Sequence, residues 1–186
     1  MIVMELRSSR QWLNRLKVAF SCWAADHMRC GAILLSRRGV RSRYRRILVP
    51  VTFSSSSLEA ARTAMRLCGG TQVTFLHAFH APGEAATMSG LQGLSLRRAA
   101  REAAVSRIRA LAACLDNRDA LVSYAVQYGP ADAVTCAYAN RYQADLIVLG
   151  PDHAGAPWGQ WTGKAERRLV EQTSSDLLIV GNARAS

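Results

Sequence analysis

Ala144-Asp-Leu-Ile-Val-Leu-Gly150, then Gly163-Lys164, then Leu177-Leu-Ile-Val180 are the pieces of sequence that decide the fold. An apolar run ends at a glycine. A Gly/Pro/Trp-rich loop follows, then a helical pattern over Ala165 to Gln172, then a second apolar run. The order reads strand, loop, helix, strand, and the loop falls where parallel α/β sheets bind phosphates.

The same alternation runs back to Arg46. Ile47-Leu-Val-Pro50 is a short strand, and Pro50 suits its end because proline donates nothing to a ladder. Ser54 to Ser57 offer N-caps for a helix through Leu67, which Gly69-Gly70 stops. Val73 to Phe79 is β-rich, and Pro82 to Gly93 is a loop of small residues. Ser95 to Leu115 is a long helix with Val105, Ile108, Leu111 and Leu115 on one face. Leu121 to Val126 is a third strand, and Gly129-Pro130 opens a helix to Tyr142. Five apolar strands separated by helices imply a parallel sheet with helices on both faces. Ligands of such a sheet bind beyond the carboxyl ends of its strands.

Charge divides the chain. Of the net charge of +11, residues 1–46 carry most, with eleven Lys and Arg against Glu5 and Asp26. The rest is nearly neutral, so the whole-chain charge does not describe a nucleic-acid-binding core. No apolar run approaches the roughly 18 residues of a membrane span. The five cysteines, Cys22, Cys30, Cys68, Cys114 and Cys136, form no C-x-x-C pair. That argues against a zinc site or disulfide framework and for a reducing cytoplasm. Cys68, Cys114 and Cys136 read as small buried thiols of helical segments.

These residues resemble the universal stress proteins. Arg46-Ile-Leu-Val-Pro-Val-Thr-Phe-Ser54 is similar to that family's opening strand and Phe75-Leu-His-Ala78 to its second. Ala144 to Gly150 and Ser175 to Val180 are similar to its last two. The resemblance implies a Rossmann-like α/β domain over residues 45–182 with a five-stranded parallel sheet, order 3-2-1-4-5. It also implies a homodimer formed along the last strand, and regulation by binding rather than enzymatic activity.

Nucleotide-binding members carry glycine, two residues, glycine, nine residues, glycine and a hydroxyl residue. Bare backbone wraps the phosphates and the hydroxyl adds a donor at a helix start. Gly150 and Gly163 match the outer glycines, whereas His153 stands at the middle one and Lys164 at the hydroxyl. The acidic residue after the first-strand proline, which the family uses on the nucleoside, is replaced by Thr52. In one reading the glycines are structural, the site is degenerate, and ATP binds weakly or not at all. In the other, ATP or AMP is held by Thr52, Ala78, Gly150, His153, Gly163 and Lys164. An imidazole where backbone should approach phosphate, and a hydroxyl where a carboxylate should accept, favour the first.

Other chemistry finds less support. Gly159-Gln-Trp-Thr-Gly-Lys164 is one residue short of a P-loop, and Ala165 replaces its Ser/Thr. Trp158 and Trp161 read as loop packing, and His77 and His80 lack further metal ligands. Asp132, Asp145 and Asp152 read as helix or loop carboxylates rather than an acid/base pair. Adenylate-transferring signatures such as His-x-Gly-His are absent.

Residues 1–44 lie outside the resemblance. Trp12, Leu13, Leu16, Phe20 and Trp23 share a helical face, and six arginines follow within residues 37–46. An interfacial helix with a cationic cluster suits an anionic membrane surface or nucleic acid. Against this stand a helix packed on the domain, a solvated linker, an upstream start codon, and an Arg-rich transit segment.

Overall fold

In the computed structural model, the described residues are 2–5, 32–36, 43–67, 70–79, 91–115, 120–150 and 164–180. The expected interfacial helix, the tail arginines at 37, 38 and 41, and the loop 151–163 lie outside them.

The central layer is one seven-stranded sheet. Its strands are β1 (Ile2–Glu5), β2 (Ile33–Ser36), β3 (Arg46–Pro50), β4 (Gln72–Phe79), β5 (Leu121–Tyr128), β6 (Leu146–Leu149) and β7 (Asp176–Ile179). The spatial order is β1-β2-β7-β6-β3-β4-β5. The last five strands in sequence are parallel and lie in the expected 3-2-1-4-5 order. Two corrections follow for the rest. The sheet has seven strands rather than five, and β2 runs antiparallel to β7 while pairing in parallel with β1. Both added strands come from the segment expected to be a separate basic extension.

The helices are α1 (Ser55–Arg66), α2 (Leu91–Cys114), α3 (Ala131–Arg141) and α4 (Lys164–Gln172). None of the described helices is long and apolar enough to cross a membrane. Strand alternation sends side chains to two cores. Leu48, Leu76, Ile147, Leu177 and Ile179 meet Val134 and Ala139 of α3 and Leu169 and Val170 of α4. Ile47, Val49, Val73, Phe75, Leu146, Val148 and Leu178 meet Ala60, Ala61, Ala64 and Met65 of α1 and Ile108 of α2. The newly recognised β2 serves both, with Ile33 and Leu35 in the first core and Leu34 in the second. All three are buried, each stabilising by about 2 kcal/mol on transfer from water.

Local chemistry sets the boundaries. Ser54 caps α1 by accepting the Ser57 N–H at 3.2 Å, and Ser57 Oγ donates back to the Ser54 carbonyl at 3.0 Å. Pro50 is the last residue of β3, and the next residue, Val51, resumes the ladder by donating to Leu76 O at 2.8 Å. Two edges are longer than expected, because α2 begins at Leu91 and β5 continues to Tyr128 opposite Phe79. Cys136 is buried as expected, and burial pushes its thiol pKa up. Cys114 is exposed on α2, contrary to expectation.

Candidate functional site

The carboxyl ends of β3, β4 and β6 bring Thr52, Phe53, Ser54, His77, Ala78 and Gly150 to one edge of the sheet. The amino end of α1 points at the same edge, contributing the positive end of its dipole. Thr52 is exposed there, and its hydroxyl lies 3.0 Å from Ser54 Oγ. Ser54 Oγ is in turn 3.0 Å from Ser56 Oγ. Three hydroxyls therefore form a chain across the helix start, where a carboxylate would have given two acceptor oxygens. Each hydroxyl's hydrogen-bonding capacity is partly spent on its neighbour.

Gly150 explains itself locally. A methyl group at this position would overlap the carbonyl oxygen of Ser56 and lie 2.8 Å from the Ser57 nitrogen. The first turn of α1 thus rests directly on the end of β6. The small residues Ala60, Ala61 and Ala64, none of them solvent-exposed, let the helix sit that close. A glycine is required here whether or not a phosphate ever approaches.

Ala78 is half-buried in β4, one residue beyond His77. The His77 Nδ1 lies 2.6 Å from the Val51 carbonyl oxygen, which can only accept. Nδ1 therefore carries the proton, and the other ring nitrogen is the one left with a lone pair in the neutral ring. The His77 ring also packs on Phe53, with centroids 4.8 Å apart. Arg107, reaching from α2, places its guanidinium 4.1 Å from the same Phe53 ring. Phe53 adopts φ +64°, a left-handed conformation unusual for a bulky residue. The two ring contacts help to hold it there. Among the described residues, no group of three or more His, Cys, Asp or Glu could hold a metal ion.

Of the six candidate nucleotide residues, Thr52, Ala78 and Gly150 meet at this edge. Lys164 opens α4 through its backbone, whereas His153 and Gly163 lie outside the described residues. So do His80, Asp152, Trp158 and Trp161. Reading the sequence missed Phe53 and Arg107. Only folding brings α2 over the β3 loop, so no local pattern marks Arg107. The hydroxyl chain was within reach, because Thr52, Ser54 and Ser56 alternate, but the serines were read only as cap candidates.

Of the three aspartates read as helix or loop carboxylates, Asp145 and Asp132 make structural contacts among the described residues. Asp145 accepts the N–H groups of Arg45 and Arg46 at 2.8 and 3.0 Å, fixing the entry to β3. Asp132 accepts from Arg168 of α4 at 2.6 Å, and that guanidinium lowers its pKa below the usual carboxylate range. A cleft of about 300 Å³, with Arg46, Thr74, Tyr138 and Arg141 in its lining, opens at the amino ends of the strands. It lies at the end opposite to the candidate edge.

A family model described as the universal stress protein family matches residues 43–181. Solved structures share the fold. The universal stress protein UspA from Lactobacillus plantarum superposes with a TM-score of 0.63 at 20% identity, over 75% of this chain and 99% of its own. A universal stress family protein from Burkholderia pseudomallei gives 0.57 at 17%, over 77% and 100%. A universal stress protein from Archaeoglobus fulgidus gives 0.62 at 15%, over 98% of this chain and 61% of its own. That last match runs through residues ahead of position 43 as well. No curated protein matches the chain.

Proposed function

The chain belongs to the universal stress protein family, and from that premise we propose that it is a non-enzymatic member acting through binding and regulation, with a degenerate nucleotide loop and weak or no affinity for ATP. The observation that carries this reading is the state of Thr52. Where nucleotide-binding relatives place an acid, this chain has an exposed hydroxyl tied to Ser54 at 3.0 Å. A neutral hydroxyl cannot accept two hydrogen bonds from a nucleoside as a carboxylate can.

Gly150 supports the same conclusion. Its lack of a side chain answers to the Ser56 carbonyl, so its presence is no evidence of a phosphate cradle. The changes at His153 and Lys164 then leave Gly163 as the one other loop position that still matches the pattern.

A second reading, ATP or AMP held by the altered loop, draws support from the start of α1. A helix terminus with three hydroxyls beside a glycine-ended strand is a favourable place for an anion. Lys164 would add a cation in place of the missing hydroxyl. Titration of the purified full-length protein with labelled ATP and magnesium separates the two. Absence of saturation through the micromolar range supports the degenerate reading, and saturable micromolar binding replaces it with the second.

A further inference from the structure

The last strand, β7, is an inner strand of the sheet only because β2 lies against it. Ile33, Leu34 and Leu35 pair with Ile179, Leu178 and Leu177. Without β2, the sequence Leu177-Leu-Ile-Val180 would be a bare apolar edge. Such an edge invites pairing with another chain. Its chemistry is also self-complementary. In a two-fold antiparallel pairing of two β7 strands about Leu178, Leu178 would face its own counterpart and Leu177 would face Ile179. In the observed register Leu34 takes the place of that second Leu178, while Ile33 and Leu35 take the places of Leu177 and Ile179. Each substitutes one branched aliphatic residue for another and sends it to the same core.

The cap is also clasped. Asp176, at the start of β7, is only 1% exposed. Ser36 Oγ donates to one of its oxygens at 2.9 Å and Tyr44 OH to the other at 3.1 Å. A buried carboxylate is costly unless hydrogen-bonded, so these donors couple residues 36 and 44 to the last strand. Tyr44 is further anchored through its carbonyl, which accepts from Thr71 Oγ1 at 3.1 Å. On its far side β2 is covered by β1.

We infer that β2, clasped through Ser36 and Tyr44, forms an intrachain cap on the last strand, a surrogate for the β7 of a second copy. While β2 is docked the chain stays monomeric across this edge, and release of β2 converts it into an antiparallel β7–β7 homodimer. The family's expected dimer along the last strand is thereby made conditional on the N-terminal segment. This inference does not depend on whether the other end of the sheet binds nucleotide.

Two readouts on the full-length protein test it. Hydrogen exchange of the 177–179 amides reports who pairs with β7, and sedimentation reports mass. For the wild type, over roughly 1–100 µM protein, the expected result is a monomer whose β7 protection is independent of concentration. Leu34→Pro disrupts the cap's backbone pairing and is expected to raise dimer association at least tenfold, with β7 protection now lost on dilution. A wild-type dimer whose β7 protection falls on dilution would overturn the inference. So would a variant that remains monomeric with freely exchanging β7 amides. Should Leu34→Pro fail to fold, the pair Ser36→Ala and Tyr44→Phe loosens the clasp, and both criteria apply to it unchanged.

Discussion

Gly150, at the end of β6, lies so close to the backbone of Ser56 in α1 that no side chain fits between them. The contact joins the strand end to the cap of the neighbouring helix, and the obstruction is main chain, which cannot swing aside. Gly150→Ala is therefore expected to cost about 1–3 kcal/mol, the usual range for overpacking. Urea unfolding of the ligand-free protein measures it. An unchanged midpoint would show that the glycine serves a ligand instead.

Ser54 provides a contrast at the same edge. Its Oγ satisfies the Ser57 N–H, so Ser54→Ala should destabilise by about 1 kcal/mol. Thr52→Ala, which removes an exposed hydroxyl, should change stability by no more than about 0.5 kcal/mol. Parallel thermal melts of the two variants check the ordering.

The proposed degenerate reading predicts that reversing the departures from the family pattern restores affinity. Thr52→Asp, His153→Gly and Lys164→Ser together return an acceptor, bare backbone and a hydroxyl donor. Hydrogen bonds involving a charged group contribute about 1.5–3 kcal/mol, so the triple variant should bind ATP at least tenfold more tightly than wild type. Calorimetric titration of both proteins reads the difference. Equal affinities would mean that these three positions do not set the affinity.

The Asp132–Arg168 pair gives a pH signature. Hydrogen bonding to Arg168 lowers the folded-state pKa of Asp132 below its ordinary value of 3.8. A depressed carboxylate contributes stability that is fully present above the unfolded pKa and lost as pH falls through the folded one. Wild type should exceed Asp132→Asn by a constant margin from pH 5 to 8, and the margin should shrink from about pH 4 downward. Added salt should narrow it at neutral pH, because both side chains are partly exposed. Urea midpoints across pH and salt are the measurement.

The five-strand core was legible because each strand is a short apolar run bounded by Gly, Pro or Ser, with helical spacing between. Ile47-Leu-Val-Pro50 and Leu146-Ile-Val-Leu149 have no other sensible reading. The four residues of β2 do. Ile33-Leu-Leu-Ser36 stands between a Gly-Ala pair and six arginines, and charge dominates any window drawn around it. What makes it a strand is β7, some 140 positions away, and no local pattern encodes that pairing. At the candidate site, Gly150 was found by spacing but its cause was not. A glycine demanded by a phosphate and one demanded by a neighbouring carbonyl look identical in sequence. The Arg107–Phe53 contact is a product of the crossover and was beyond the reach of periodicity.

The placement of β2 also sets an order of events during synthesis. Ile33 to Ser36 leave the ribosome some 140 residues before the strand that receives them. Until then β1 and β2 have only each other, and a two-stranded unit is at best marginally stable in water. Closing so long a loop before other contacts form is entropically unfavourable, so the parallel core should assemble first and the early strands dock onto it last. A nascent chain halted before Asp176 would expose an apolar stretch with nowhere to go. That interval is when a holding chaperone would matter most to this protein.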